Sequence, residues 1–547
     1  MKSEIIENLK RLLSLLFRRA PSREIGEPCS VHFRKKYHSF QEMLDSNSEL
    51  LKIISDIEIK LSGNFVFGMS YLRSQAARSV FHALRMISSF EKLSNSSQPV
   101  LHELVSGIQS DINSILNAKT SDSAFPLALP LSDISSDMLD AVGGKCFNLS
   151  QVAHVDECLV PDGFAITTTA FRRFVEQNEL WDEVKRIKLS ANVSDFVTLE
   201  ACSEQIQALI LNANLPCVLE DALFRQFDLL ADRCSNTTNP LRVAVRSSAI
   251  GEDGELSYAG QYVSMLNVTR DKLLFSYKCV VASLYTPRGI AYRIQNGIID
   301  DSIAMAVCVV QMVPAASSGV AYSNSPFDER NADILINACP GLGTTVVDGT
   351  IVPDTVIVER DSMLVVESTV GGQLYKQVSA HNSGLVSQAL EEHESSQLSI
   401  TNEQALAIAR VVVHIETHFG CPQDVEWAID SCGELYVLQA RPLHVSSQSI
   451  AIPPNLPKAD QGSALASGGD IAFPGIAYGK VHYVASDDDL SSFPAGGVLV
   501  AKHTSPKFMV VMDKAAAILC EAGSITGHMA SLSREFQVQT KLGIHSL

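Results

Sequence analysis

The N-terminal part of the chain repeats its apolar side chains every three or four positions. Leu50 and Ile54 follow this spacing in one stretch, and Leu104 and Ile108 follow it in another. This period matches one face of an α-helix, which turns once in about 3.6 residues. The strict alternation of apolar and polar residues that marks a strand is almost absent. The pattern therefore predicts a helical bundle over residues 1–125.

From residue 126 to 445 short strand-like runs alternate with helical runs and glycine-containing turns. This texture is typical of α/β or α+β folds and predicts the largest unit of the chain. Residues 446–470 contain SSQS, IPPNLP and SGGD, a composition typical of a linker. Residues 471–547 carry the strand-like runs GKVHYVAS, GGVLVAKH and AAILC, with a helical segment around 506–514. A small β/α unit is expected there.

Composition narrows the class of protein. A chain of 547 residues is too long for one hydrophobic core, so several domains are expected. Hydrophobic residues make up 46% and charged residues 19%, as in folded globular proteins. The net charge of −18 argues against a broad nucleic-acid surface, which needs clustered Lys and Arg. The 12 cysteines are scattered without a C-x-x-C pair, which favours a reduced, cytoplasmic protein.

The first run, MKSEIIENLKRLLSLLFRRA, is apolar enough to invite comparison with a signal sequence. Glu4, Glu7 and Lys10 interrupt it, so an amphipathic helix is predicted instead. Its apolar stripe has two interpretations, packing on another helix and docking to a membrane surface. The apolar run 303–313 is shorter than the ~20 residues of a membrane span, so no span is expected.

Two segments of the central part offer candidate phosphate contacts. The stretch AVGGKCFNL places Lys145 after two glycines, which allow a loop to approach a ligand while the lysine supplies a point charge. The stretch LRVAVRSSA reads as a strand in which Arg246 precedes two hydroxyl side chains. A cation followed by hydroxyls suits polyphosphate oxygens. An ordinary polar hairpin is the alternative interpretation of this second segment.

The stretch PQDVEWAIDSCGELYVLQARPL predicts two antiparallel strands joined by the DSCGE turn. Period-two spacing then puts Asp424, Glu426, Gln439 and Arg441 on one face. Carboxylate and amide oxygens suit Mg²⁺, which takes its other ligands from water and substrate phosphates. Arg441 would balance phosphate charge. A solvated polar face is the alternative.

The stretch GSITGHMASLSREF sets His528 between a Gly/Ser/Thr turn and the expected start of a helix. With an ordinary pKa of about 6.5, an imidazole is largely neutral and nucleophilic at neutral pH. Thr526, two residues earlier, can bond phosphoryl oxygens or orient the ring. A histidine that merely begins a helix is the alternative.

Taken together, these segments resemble the phosphoenolpyruvate synthase and pyruvate phosphate dikinase family. The central part resembles its nucleotide-binding domain, a variant of the ATP-grasp fold, through VGGK, AVRSSA, SYAGQ, SLYTPRGIAYR, VVQMV, SGVAYS, GLG, VVDG, VPDT, QDVEWAI and LQARPL. The final motif resembles the Gly-Gly-x-Thr-x-His-x-Ala pattern of the family's swivelling phosphohistidine domain, with Ser524 in place of the second glycine. The expected fold class is α/β and α+β multidomain: an N-terminal helical bundle, an ATP-grasp-type domain and a small swivelling β/α domain.

The resemblance also implies roles for individual residues. The polyphosphate contacts are Lys145, Arg246 and Arg441, the Mg²⁺ ligands are Glu426 and Gln439, the hinge strand against adenine is Gln311, Met312 and Val313, Gly260 lines the phosphate side, and the catalytic residues are His528, Thr526 and Arg441.

The activity implied by the resemblance is ATP- and Mg²⁺-dependent phosphotransfer. ATP phosphorylates His528, AMP leaves, and the histidine domain swings on 446–470 toward an acceptor. The acceptor stays open between pyruvate, another small molecule and a partner protein, because the family's pyruvate-binding barrel has no counterpart in this sequence. A non-catalytic nucleotide sensor or scaffold is the alternative. The oligomeric state, a homodimer included, also stays open.

Two departures from the family pattern carry expectations of their own. Thr344 and Thr345 follow GLG where the family has an acidic residue, which predicts a lost or replaced polar contact near the nucleotide. The stretch QVQTKLGIHSL, residues 537–547, departs from the family's usual strand. This second departure predicts an incomplete domain with an exposed sheet edge.

Overall fold

Two compact units make up the chain in the computed structural model, one of residues 1–124 and 290–303 and the other of residues 125–289 and 304–547. The structure describes residues 29–62, 69–117, 125–191, 196–234, 240–249, 263–295, 300, 303–325, 333–443, 468–505, 508–512 and 514–544. Gly260, the N-terminal run and most of the predicted linker 446–470 lie outside the described residues.

Helices form the described part of residues 1–124, as the apolar period predicts. They are α1 (Cys29–Ser62), α2 (Met69–Ser94) and α3 (Pro99–Asn117). The first two pack antiparallel, because Lys36 Nζ donates to the Leu93 carbonyl at 3.1 Å while Gln75 donates to Asp56 at 3.1 Å farther along the pair. The helical character of the N-terminal part is confirmed.

An antiparallel sheet with the strand order β1-β2-β5-β3-β4 begins the second unit. Its strands are β1 (Ala128–Pro130), β2 (Gly163–Ile166), β3 (Val243–Ala249), β4 (Ser264–Val268) and β5 (Met305–Gln311). The α-helices of this region are α4 (Leu139–Val152), α5 (Thr168–Gln177), α6 (Leu180–Lys188), α7 (Phe196–Asn212), α8 (Cys217–Cys234) and α9 (Leu273–Ala282). Helix α10 (Pro287–Gln295) begins in the second unit and continues into the segment 290–303 of the first. Val142 and Phe147 of α4 share a core with Ala244 and Val310 of the sheet.

A second antiparallel sheet has the order β13-β12-β6-β7-β8-β9. The elements from β6 onward are β6 (Ala315–Tyr322), β7 (Ile334–Pro340), α11 (Thr344–Val347), β8 (Asp354–Glu359), β9 (Leu364–Thr369), the hairpin β10 (Tyr375–Ser379) and β11 (Leu385–Ala389), α12 (Glu392–Ser395), α13 (Asn402–Phe419), β12 (Gln423–Asp430) and β13 (Leu435–Pro442). A capping box between Thr401 and Gln404 starts α13, and Gly420, with φ 68°, ends it. This helix covers one face of the sheet.

The hairpin predicted from QDVEWAI and LQARPL is confirmed. Strands β12 and β13 pair so that Asp424 lies opposite Arg441 and Glu426 lies opposite Gln439. The register shifts immediately after Glu426, at a β-bulge. Directly opposite residues share one face of an antiparallel pair, so the four polar side chains form two cross-strand pairs on one face.

The last sheet has the order β14-β18-β17-β16-β15, with β15 to β18 parallel and β14 antiparallel to β18. Its elements are β14 (Asp470–Phe473), β15 (Val481–Val484), β16 (Gly497–Ala501), α14 (Met509–Met512), β17 (Ala515–Cys520), α15 (His528–Phe536) and β18 (Gln539–Leu542). The expected sheet edge within 537–547 is wrong. Strand β18 has a neighbour on each side, because β14 returns from the start of this region and pairs Asp470 with Leu542.

Candidate functional site

The helix that carries Lys145 is broken at Gly143, where φ is 73° and ψ is 167°. Ser248 of β3 fills the break: its Oγ donates to the Val142 carbonyl at 2.8 Å and accepts from the Cys146 amide at 3.1 Å. These bonds satisfy backbone groups that the break would leave without partners. Lys145 therefore lies on a helix packed against β3, rather than on the loop expected from its two glycines.

The close approach at Gly143 gives a first prediction. A Cβ there would lie 1.8 Å from the Ser248 carbonyl oxygen, whereas a Cβ at Gly384, with a similar φ of +75°, meets nothing within 4 Å. We expect Gly384→Ala to cost about 1–2 kcal/mol through backbone strain alone. Gly143→Ala should cost about 3 kcal/mol or more, because overpacking adds to the strain. Thermal unfolding of both variants measures the difference, and equal falls in Tm would contradict the prediction.

Arg246 and Glu426 connect the first two sheets. Arg246 on β3 donates to Glu426 Oε2 at 2.6 Å and to the Leu438 carbonyl at 3.3 Å. Beside it, Lys145 Nζ donates to Ser247 Oγ at 3.1 Å. Burial alone would raise the pKa of Glu426, but Arg246, with smaller contributions from Arg441 and Lys145, lowers it below its ordinary value. The carboxylate is therefore ionised and surrounded by cations.

Arg441 pairs with Asp424, directly opposite it on β12. The Nε and Nη2 atoms of Arg441 donate to Asp424 Oδ2 at 2.9 and 2.8 Å. The charge of Asp424 raises the pKa of Arg441 above its ordinary value, so the guanidinium is permanently charged. The Arg441 side chain is 29% exposed and the Asp424 side chain 7%. The arginine thus keeps an accessible surface while its partner is buried.

Glu426 and Gln439 are the residues that could hold a divalent cation. They face each other across β12 and β13 and offer a carboxylate and an amide oxygen, the kinds of ligand that Mg²⁺ prefers. Within the described part of the chain, no group of three or more His, Cys, Asp or Glu is arranged to hold a metal ion. Two oxygen ligands suit a cation that takes its other ligands from water and substrate phosphates, as Mg²⁺ usually does.

Asp348 adds a carboxylate close to this pair. Desolvation by the surrounding protein raises its pKa, and the charge of Glu426 raises it further. Asp348 follows α11 and lies four residues after Thr344, which places the two residues on one helical face. A carboxylate is thus present one turn after Thr344, which stands where the resembled family has an acidic residue.

The histidine loop, residues 523–527, precedes α15, and His528 is the first residue of that helix. Asn337 of β7 donates from Nδ2 to Ser524 Oγ at 2.8 Å and to Thr526 Oγ1 at 2.7 Å. The His528 side chain lies outside the described residues. These bonds attach the histidine loop to the sheet that also carries the β12–β13 hairpin.

Three further contacts connect the histidine region to Gly349, which follows α11, and to the same sheet. Thr504 Oγ1 donates to the Gly349 carbonyl at 2.6 Å, and a Cβ at Gly527 would lie 3.0 Å from the Gly349 Cα. Arg534 on α15 donates to the Tyr322 hydroxyl at 3.4 Å and lies over its ring, 5.9 Å from the centroid. The helix that begins with His528 is therefore in contact with the strand beside β12.

The expected adenine residues lie at the end of β5. Gln311 is the last residue of this strand, and Met312 and Val313 follow it. Gln311 pairs with Val243, three residues before Arg246 on β3. Three residues of a strand span about 10 Å. Gln311 at the expected base site and Arg246 at the expected phosphate site therefore lie along one strand pair.

Asn337 and Arg534 were not expected from the sequence. Asn337 interrupts the apolar run ILINACP, residues 334–340. An amide inside a buried strand needs a hydrogen-bond partner, so this interruption is a signal that the sequence offered. No comparable signal marks Arg534, because an arginine on an amphipathic helix is ordinary.

Two models of known protein families match this chain. The family model described as the pyruvate phosphate dikinase AMP/ATP-binding domain matches residues 139–458, more than half of the chain. The chain belongs to the phosphoenolpyruvate synthase and pyruvate phosphate dikinase family. A second family model, the mobile domain of PEP-utilising enzymes, matches residues 493–545, which include the histidine loop and α15. The resemblance inferred from the sequence is confirmed.

Individual family members show the same relation. A protein described as a probable phosphoenolpyruvate synthase from Archaeoglobus fulgidus is 32% identical over 416 residues. The phosphoenolpyruvate synthases of Deinococcus radiodurans and Escherichia coli are each 31% identical, over 428 and 438 residues. Each alignment covers 76% of this chain and 54% of the relative. The chain thus spans about half the length of these curated relatives.

Among solved structures, an L-amino acid ligase from Bacillus licheniformis shares 12% identity, covering 50% of this chain and 56% of its own, with a TM-score of 0.17. That score is too low to support a shared fold.

Within the described ranges, no helix has both the length and the apolar character needed to cross a membrane.

Proposed function

We propose that this chain is an ATP- and Mg²⁺-dependent phosphotransferase that phosphorylates its own His528, releases AMP and passes the remaining phosphoryl group to an acceptor. The acceptor is pyruvate or another small molecule, bound by this chain or by a partner. Membership of the family supports ATP as the ligand and phosphotransfer as the reaction class. The predicted linker 446–470 is the proposed hinge between the phosphorylating and delivering positions.

The position of the histidine loop is the observation that carries this proposal. Asn337, which lies on β7, donates hydrogen bonds to the histidine loop. Strand β7 is two strands away from β12 in the sheet. Two strand spacings amount to about 10 Å. The phosphates of an ATP bound at Glu426 would therefore lie near the loop that precedes His528.

The local backbone also suits an accepted phosphoryl group. His528 occupies the first turn of the nine-residue helix α15. The amide groups of a helix N-terminus carry a partial positive charge, which stabilises a phosphoryl group there. Thr526 keeps its hydroxyl two residues earlier, where it can orient the ring or bond a phosphoryl oxygen.

The proposed transfer conserves atoms and charge. An imidazole nitrogen of His528 attacks the β-phosphorus of ATP. The bond between this phosphorus and the oxygen that it shares with the α-phosphorus breaks, and AMP leaves with the electron pair. The proton on the other ring nitrogen goes to solvent. Lys145, Arg246 and Arg441 offset the charge of the phosphate oxygens, and Glu426 and Gln439 would hold a Mg²⁺ ion that would supply further positive charge. The γ-phosphoryl group then passes to water or inorganic phosphate, and the β-phosphoryl group goes on to the acceptor.

Labelling of the purified chain tests this function. We expect acid-labile label to stay on the protein when ATP carries it in the β-phosphate, with AMP formed in proportion, and no label when EDTA removes Mg²⁺. Label retained only from the γ-phosphate would contradict release of AMP and indicate an ordinary kinase. ATP binding without label on the protein and without AMP would favour the alternative, a nucleotide sensor or scaffold.

A further inference from the structure

Three buried polar side chains connect the six-stranded sheet to the histidine loop. Asn337 Nδ2 donates to Ser524 Oγ at 2.8 Å and to Thr526 Oγ1 at 2.7 Å, and the two hydroxyl oxygens lie 2.9 Å apart. The three residues are 1–4% exposed. We call Asn337, Ser524 and Thr526 the docking cluster. The docking cluster is a tertiary contact, because Asn337 on the sheet is distant in sequence from Ser524 and Thr526 in the loop.

A hydrogen bond from the neighbouring strand fixes the orientation of the Asn337 side-chain amide. Thr355 Oγ1 of β8 donates to Asn337 Oδ1 at 3.0 Å, so the NH₂ group of Asn337 faces the histidine loop. Ile525, between the two hydroxyl residues, packs against the apolar core that includes Val320 and Leu335 on the same sheet. The histidine loop is therefore held by directed hydrogen bonds and by an apolar contact.

Ser524 stands where the family pattern has its second glycine. Its Oγ accepts from Asn337 and also from the Thr526 amide, at 3.2 Å. A glycine at position 524 would have no hydroxyl, and Asn337 would lose one of its two acceptors in the loop. This departure from the pattern therefore adds a contact between the histidine loop and the nucleotide-binding sheet.

We propose that Asn337 is a positioning residue, which holds the histidine loop on the nucleotide-binding sheet through the docking cluster until His528 has been phosphorylated. This inference rests on the proposed function. Neutral hydrogen bonds contribute modestly to a docked state, since each replaces a bond to water. The docking cluster is therefore strong enough to orient the histidine loop and weak enough to release it for delivery.

Amide hydrogen exchange of the full chain tests docking without any activity. We expect Asn337→Ala to speed exchange by up to about tenfold in two peptides at once, residues 344–350 on the sheet side and residues 500–528 on the histidine side. Ser524→Gly should change the same peptides by a smaller factor. Faster exchange confined to β7 and its neighbours, with residues 500–528 unchanged, would show a purely local structural role and overturn the proposal.

Asn267 provides a matched control. It is 1% exposed, and its Nδ2 donates to the carbonyls of Ala380 and Gly384 at 2.7 and 2.8 Å. Like Asn337, it is thus a buried asparagine whose Nδ2 donates two hydrogen bonds. Its φ of 57° suits glycine. We expect Asn267→Gly to leave exchange at 500–528 unchanged, and faster exchange there would mean that any buried amide gives the effect.

The labelling rate tests the same contact during function. At saturating ATP we expect Asn337→Ala to slow labelling of the chain by up to about tenfold, with the half-saturating ATP concentration unchanged. The double variant Asn337→Ala, Ser524→Gly should label as slowly as Asn337→Ala alone, because Asn337→Ala already removes the bond to Ser524 that Ser524→Gly takes away. Multiplied effects in the double variant would contradict a shared role.

The two measurements separate the two proposals. Faster exchange at 500–528 in Asn337→Ala, together with a wild-type chain that takes no label, would support docking and reject the phosphotransfer. A labelled wild-type chain whose Asn337→Ala variant labels at the same rate would support the phosphotransfer and reject the positioning role.

Discussion

His528→Ala is expected to abolish the acid-labile label that the chain takes from ATP while leaving ATP binding nearly unchanged. The reason is a separation of tasks. His528 begins α15 in the last sheet region, whereas the proposed phosphate contacts Lys145, Arg246 and Arg441 lie on α4, β3 and β13. Removal of the imidazole takes away the nucleophile and none of these cations. We expect the Kd for ATP to change by less than about threefold, which corresponds to ~0.6 kcal/mol.

His482→Ala is the control for this experiment. His482 lies on β15 of the same sheet, with Nε2 at 3.1 Å from the Asp489 carbonyl and its ring 5.4 Å from that of Phe493. These contacts account for it as a structural residue, so His482→Ala should keep its label even if its Tm falls. Equal labelling of the wild-type chain and His528→Ala would place the phosphoryl group on another residue and contradict the assignment.

The parts of the fold that the sequence predicted are those set by local patterns. The apolar period predicted helices in the N-terminal part, and the alternation around DSCGE predicted the β12–β13 hairpin with its four polar side chains on one face. A short turn fixes the register of a hairpin, so little else is needed. The two glycines before Lys145 suggested a loop, whereas the structure places this lysine on α4, beside Ser247 of β3.

The features that the sequence did not predict depend on contacts between distant segments. The break at Gly143 is stable because Ser248 satisfies the exposed backbone groups. Strand β18 is not an edge because β14 pairs with it from the other end of the region. Asn337 meets Ser524 only once two sheets have formed. Periodicity describes a single element, and it contains no information about which element packs beside it.

Arg441→Met is the variant expected to lose both ATP binding and label. Contacts between a guanidinium and phosphate oxygens contribute about 1.5–3 kcal/mol each, so the Kd for ATP should rise about ten- to hundredfold. The substitution also has a structural cost, because it leaves Asp424, 5% exposed, without its cation. Removal of one partner of a buried ion pair lowers the free energy of unfolding by about 3 kcal/mol. Isothermal titration with ATP and thermal unfolding must therefore be measured together.

A double variant separates these two effects. Asp424→Asn with Arg441→Met removes the buried charge as well as the cation, so Tm should return toward the wild-type value. Arg360→Met breaks a comparable ion pair, with Glu416 at 2.8 Å, in the same unit but outside the proposed site. It should lower Tm and keep ATP binding. If the double variant regains its Tm and still fails to bind ATP, the missing charge is the cause, whereas recovered binding would remove Arg441 from the nucleotide site.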